Sequence, residues 1–224
     1  MLAFGGALMT PGGGVEALYP FLYADQSDVR PVLRAVSEST ADKAREIVAL
    51  RQQLAAHFAD TLIDCAQDLA DRFAAGARLF TFGNGGSSSD AQAVAQLFLN
   101  PGTEGRALPA LSLTNDVAVL TALSNDVGFE VVFARQLAAQ GTAVDIAVGL
   151  STSGGSANVL AGFEQAHRRG MLTVGFAGYE GGRMAEANTI DHLFVVPSAS
   201  VHRIQEAQTT TYNVLWELTQ LALR

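Results

Sequence analysis

"RLFTFGNGGSSSDAQAVAQLF", residues 78–98, holds the pattern on which the fold turns. "RLFTF" (78–82) is a short, mostly apolar run of strand length, and its continuous apolarity predicts burial on both faces of a sheet. Gly83, Asn84, Gly85 and Gly86 then open the backbone, Ser87 to Ser89 follow, and a helix is predicted over about 87–99. Strand, glycine-rich turn and helix together make the first half of a parallel α/β unit. The succession recurs at "DIAVGL" (145–150), which runs into Ser151-Thr152-Ser153-Gly154-Gly155-Ser156 and a predicted helix over 155–168. "ALSL" (110–113), "LTVGFA" (172–177) and "HLFVV" (192–196) read as three further buried strands. Helices are predicted between them over 116–139, broken around Asn125 to Gly128, and over 182–187, with a last one over 201–223. Strands separated by helices imply right-handed crossovers. The expected fold is therefore a three-layer α/β/α sandwich around a five-stranded parallel sheet.

Ahead of the first strand, residues 29–75 carry a helical pattern, broken first by Pro31. Its apolar stripe runs through Ile47, Leu50, Leu54, Phe58, Leu62, Cys65 and Leu69 at spacings of three and four. A stripe of that length packs on the core or on a second subunit, and the sequence leaves both open. The 224 residues, 49% hydrophobic, suffice for one core rather than two. The expected organisation is a loose tail over 1–28 and a single domain over 29–224 that includes the helical extension 29–75. "MLAFGGALMTPGGG" is apolar but has no basic stretch ahead of it, and glycines and a proline interrupt it.

No stretch reaches the roughly 18 uninterrupted apolar residues of a membrane span, so a soluble, cytoplasmic protein is expected. The single cysteine, Cys65, cannot form an internal disulfide or a cysteine zinc cluster. It reads as a small buried hydrophobe in a reducing compartment. A formal net charge of −8 and a pI near 4.9 argue against a nucleic-acid surface, which needs clustered Lys and Arg on the phosphates.

Ligands of open parallel sheets gather at the carboxyl ends of the strands. Two of these ends share one composition, 83–89 and 151–156. Glycine lets backbone N–H groups approach an anion, hydroxyls add donors, and the next helix turns its positive end toward it. Turn formation and helix capping would account for either loop alone. Two of them, each after a strand and before a helix, point to one phosphate clasped between them. Neither has the lysine of a P-loop or the spacing of a dinucleotide fingerprint, which disfavours a nucleoside triphosphate or NAD.

"FGNGGSSSDA", "LSTSGGSANVL", "GYEGGRMA" and "RIQEAQ" resemble, in this order, the SIS (sugar isomerase) domain, specifically its phosphoheptose isomerase branch. The likeness covers about Ala41 to the C-terminus. It implies a tetramer whose long helices pack together, with sites at subunit interfaces, and a phosphorylated sugar as ligand. Position by position, it implies that Ser87, Ser151, Ser153 and Ser156 bind the phosphate with Thr152 beside them. Asn84, Gly85, Gly86, Asn115 and Asp116 would line the sugar, and Gln205 would match a glutamine that touches substrate and metal.

The chain departs from that branch where the chemistry is done. Interconverting a ketose and an aldose phosphate needs a base at carbon and an acid at oxygen. The branch supplies a His and a Glu one helical turn apart, and another His on the last helix, and these groups also hold a divalent metal, commonly zinc. The matching positions here are Ala93, Leu97 and Asn213. Gln205 alone remains, with His202 and Glu206 beside it as lesser catalytic candidates. Asp90, Asp116, Asp126 and Glu130 are further carboxylates near loop or helix ends, whereas His57, His167 and His192 read as structural or solvent-facing.

Two readings follow. One is an isomerase like that acting on sedoheptulose 7-phosphate, with a rearranged acid–base set. The alternative is a noncatalytic phosphosugar-binding regulator or scaffold, similar to the replication-initiator-associating factor, which also has Asn at the position of Asn213. A transcriptional sensor ranks last, for want of a DNA-reading helix and a basic surface.

Overall fold

The computed structural model describes residues 29–103 and 105–224; the expected N-terminal tail lies outside them. Contacts divide the chain into one unit up to Arg45 and a second from Glu46 to Arg224. Helix α1, Arg30–Ala74, supplies the described residues of the first unit and continues into the second. Pro31 does not break it. The residue stands in the first turn, where a missing N–H forfeits no intrahelical bond.

The second unit then runs β1 (Leu79–Gly83), α2 (Gly86–Leu99), β2 (Ala110–Ser112), α3 (Val117–Asp126), a 3-10 turn at Phe129–Val131 and α4 (Val132–Gln140). It continues through β3 (Ile146–Ser151), α5 (Ala157–Arg168), β4 (Leu172–Gly178), α6 (Gly182–Glu186), β5 (His192–Val196) and α7 (Val201–Ala222). All five strands are parallel, in the order β2-β1-β3-β4-β5. The break expected around Asn125 to Gly128 falls there, with Gly128 at φ 139° between α3 and the 3-10 turn.

Successive residues of a strand face opposite sides of the sheet, so a sheet covered twice needs two cores. On one side Leu79, Val148, Leu150, Val174 and Phe176 pack with Leu54, Phe58, Leu62 and Cys65 of α1, Val94 and Phe98 of α2, and Ile204 and Leu215 of α7. On the other, Phe80, Phe82 and Ala147 meet Val132, Phe133 and Leu137 of α4 and Val159 and Phe163 of α5. Cys65 is fully buried, and burial pushes its thiol well above the usual value. Continuous burial holds for β1, β3 and β4. It fails at β2 and β5, which have a neighbour on one side only; Leu111 of β2 is exposed.

The sheet is pinned at its amino end by Asp145, just before β3. Its carboxylate accepts from the backbone N–H of Arg78 at 2.8 Å, from Arg78 Nη2 at 2.8 Å, and from the N–H and hydroxyl of Thr142, each at 2.9 Å. Burial raises the Asp145 carboxyl, but the Arg78 and Thr142 donors outweigh it and hold the group below the ordinary carboxylate range. A depressed folded value stabilises the protein above the unfolded value of about 4 and is lost as pH falls through the folded one. Asp145→Asn should therefore lower stability at pH 7 by about 2 kcal/mol, a melting-point drop of about 4–8 °C. The difference should shrink as pH falls below about 4 and vanish in thermal melts only once the pH lies below the folded value.

Candidate phosphate-binding site

The strand order changes direction between β1 and β3, the place where ligands of such sheets bind. Gly83 and Leu150 are register partners at the ends of these strands, so the loops opening at Asn84 and Ser151 leave the sheet side by side. A reciprocal amide pair joins them. Asn84 Nδ2 donates to Asn158 Oδ1 at 2.8 Å, and Asn158 Nδ2 returns a bond to Asn84 Oδ1 at 2.9 Å. Both amides are thereby aimed, which holds the start of α5 against the turn before α2.

In the second loop three hydroxyls converge. Ser156, at the capping position of α5, turns its side chain away from the helix amides it could cap. Its Oγ lies 3.0 Å from Ser151 Oγ, which in turn lies 3.4 Å from Ser153 Oγ. The first N–H groups of α5 thus keep their donors free of a side-chain cap, at the positive end of a twelve-residue helix. Ser151 is buried, closing the back of the group.

The loop is held in shape from below by the turn after β4. Gly154 has φ 62°, and a Cβ placed on it would lie 1.9 Å from the Gly181 carbonyl oxygen. Met184 N donates to Gly154 O at 2.9 Å. A Cβ on Gly182 would come 2.4 Å from Ser153 O, and one on Gly178 2.7 Å from Thr152 O. On the β1 side Ser87 is buried in the first turn of α2 and Gly85 has φ 55°. Asn115 and Asp116 are exposed at the end of β2, beside β1; Asp116 caps α3 by accepting from Val119 N at 3.0 Å.

Gln205 of α7 meets the first turn of α2. Gln205 Nε2 donates to Asp90 Oδ2 at 2.9 Å, and its amide lies so close to Gly86 that a Cβ there would sit 2.4 Å from it. Burial raises the Asp90 carboxyl, and the Gln205 bond pulls it back in part. Burial likewise raises Tyr212, and the charge of Asp90 adds to the effect although a Thr209 hydrogen bond opposes it. Asn213 spends its Nδ2 on the Thr209 carbonyl at 2.8 Å.

The zinc that the isomerase branch implies does not fit this donor set. Ala93 and Leu97 have no lone pairs, and Asn213 and Gln205 offer only neutral amide oxygens in place of the imidazole, thiolate and carboxylate donors that zinc takes. Among the described residues no three His, Cys, Asp or Glu side chains converge.

Among the described residues no hydrogen bond joins the other candidates to the hydroxyl group. His202 is exposed in the first turn of α7, and the Glu206 carboxylate is paired with Arg203. His192 Nε2 lies 2.7 Å from Asp68, while His57 and His167 are exposed on α1 and α5. Glu130 packs beside Gly128, and Asp126 takes a bond from Asn125 at 2.8 Å. The sequence reading missed Asn158. Its signal was a polar side chain on the buried face of α5, next to Val159 and Leu160.

A parallel sheet whose switch point is framed by two glycine- and serine-rich loops defines an α/β protein with a candidate anion site. More particularly, the chain belongs to the SIS-domain family, whose SIS domain matches residues 44–178. It is 46% identical over 182 residues to a phosphoheptose isomerase of Desulfovibrio desulfuricans, spanning 80% of this chain and 85% of that one. With a phosphoheptose isomerase of Aquifex aeolicus it shares 42% identity over 164 residues, 73% of this chain and 85% of that one. The solved phosphoheptose isomerase of Neisseria gonorrhoeae superposes with a TM-score of 0.75 at 32% identity, covering 81% of this chain and 97% of that one. The chain is thus a phosphoheptose isomerase-like SIS protein.

Proposed function

We propose that this chain binds a phosphorylated sugar of the class phosphoheptose isomerases act on, and holds it without metal-assisted isomerisation. The phosphate rests on the hydroxyls and amides of 151–156, with Ser87 on the facing loop; Asn84, Gly86 and Gln205 line the sugar. The observation that carries this reading is the convergence of Ser151, Ser153 and Ser156 at the switch point. The positions that would move protons carry Ala93, Leu97 and Asn213. Ligand occupancy is then the output, as in a regulator or scaffold.

One observation favours a second reading, an isomerase with a rearranged acid–base set: Asp90, raised by burial, bonded to Gln205. Sedoheptulose 7-phosphate incubated with the protein in D2O separates the two. Holding predicts a ligand-dependent rise in melting temperature and no deuterium at C1 or C2 by NMR, with or without added zinc. Deuterium incorporation above the protein-free rate would establish the second reading.

We further propose self-association through α1 and α7. Leu54, Phe58 and Leu62 line with Ala207, Val214 and Leu218 an apolar hollow of about 280 Å³. Light scattering on the purified chain tests this, since a monomer mass at micromolar concentration would rule it out.

A further inference from the structure

We propose that the same anion loop takes a second ligand, a nucleoside 5′-monophosphate, whose nucleoside occupies the groove between the ends of β4 and β5. The inference rests on the phosphate site proposed above and extends it over the turn after β4 and the residues after β5. An open groove of about 580 Å³ adjoins Ser153 and is lined also by Tyr179, Glu180, Gly182, Pro197 and Ser198. That volume lies within the usual range of small-molecule sites.

Tyr179 is the one non-glycine among the described residues with positive φ, 54°. An aromatic residue held there costs on the order of 1–3 kcal/mol and persists only where its surroundings enforce it. They do so here. Gly178 on one side and Gly181 and Gly182 on the other are packed backbone to backbone on Thr152, Ser153 and Gly154. The Tyr179 backbone is therefore fixed relative to the anion loop. The residue is 40% exposed, and among the described residues its side chain has neither a ring partner nor a hydrogen bond.

Beside it Glu180 is exposed and, among the described residues, pairs with no cation. An anion loop, an aromatic face and a carboxylate around one groove match phosphate, base and the vicinal hydroxyls of ribose. A carboxylate on ribose hydroxyls and stacking of a base on an aromatic ring are common recognition chemistry. The loop 151–156 contains no Lys or Arg, which suits one phosphate rather than a triphosphate. Because Ser153 lines this space and also belongs to the anion loop, nucleotide and phosphosugar compete.

The test is calorimetric titration of the intact protein with AMP, UMP, adenosine, ribose 5-phosphate and sedoheptulose 7-phosphate. AMP or UMP should bind at least tenfold tighter than ribose 5-phosphate or adenosine, and should raise the apparent Kd of sedoheptulose 7-phosphate competitively. Tyr179→Gly, which suits the backbone and should fold, is expected to weaken the nucleotide about tenfold and leave the phosphosugar within twofold. Glu180→Gln should act in the same direction.

Phosphosugar binding without nucleotide binding overturns this inference and leaves the proposed function standing. So does nucleotide binding that ignores Tyr179→Gly or is noncompetitive. Failure of both ligands to bind overturns the phosphate site itself, and the inference with it.

Discussion

Gly154→Ala is expected to lose phosphosugar binding and to melt well below the parent protein. Two costs combine at this residue. A left-handed φ of 62° is strained for alanine, by about 1 kcal/mol. The added methyl would also lie 1.9 Å from the Gly181 carbonyl oxygen. No side chain can swing aside to relieve that contact, because the atom belongs to the backbone of the turn that supports the loop. Either the 151–156 loop lifts or the 178–182 turn recedes, and both separate the Ser151, Ser153 and Ser156 hydroxyls. The expected destabilisation is about 3 kcal/mol, a fall of about 6–12 °C in melting temperature for a domain of this size. Gly155→Ala is the control: its added methyl meets nothing nearer than 3.8 Å. A Gly154→Ala protein that melts with the parent and binds sedoheptulose 7-phosphate unchanged would show that the clamp does not shape the site.

The sheet was legible because each of its strands is a short apolar run set off by glycine, proline or polar residues, and the two loops because glycine and serine cluster together at the carboxyl ends of two strands. All five strands follow that reading to within one residue at either end. The burial of the edge strands reads less well. Their apolar runs look like those of the centre, while the number of neighbouring strands, which sets burial, is a property of topology that no local window carries. Pro31 misled for a related reason, since a proline breaks a helix from within but fits its first turn, and only the true start at Arg30 distinguishes these. In the site, hydroxyl positions could be inferred from strand ends. The Asn84–Asn158 pair could not, because the two residues are 74 apart in sequence and each is a plausible turn or cap residue by itself. The same holds for Asp90 and Gln205, 115 apart. Pairings of this kind come from the register of β1 on β3 and the packing of α2 on α7, not from the residues' own neighbourhoods.

Ser151→Ala should weaken sedoheptulose 7-phosphate by about 10–100-fold, since a hydroxyl bound to a charged oxygen contributes about 1.5–3 kcal/mol. Its effect on the fold should be small. Among the described residues the Ser151 hydroxyl bonds only to Ser156 and Ser153, which can turn to water in the free protein, so the melting temperature without ligand should shift by no more than about 2 °C. Ser156→Ala should behave alike, and the double variant should lose less than the sum of the two. The hydroxyls lie 3.0 Å apart, and neighbours sharing one ligand group couple in double-mutant cycles. Salt provides an independent check. The loops 83–89 and 151–156 contain no Lys or Arg, so affinity there comes from oriented dipoles within hydrogen-bond reach rather than from screened long-range charge. Raising ionic strength from about 0.01 to 0.15 M should change the Kd by less than about threefold. Unchanged affinity in Ser151→Ala, or strictly additive losses in the double variant, would place the phosphate elsewhere in the molecule.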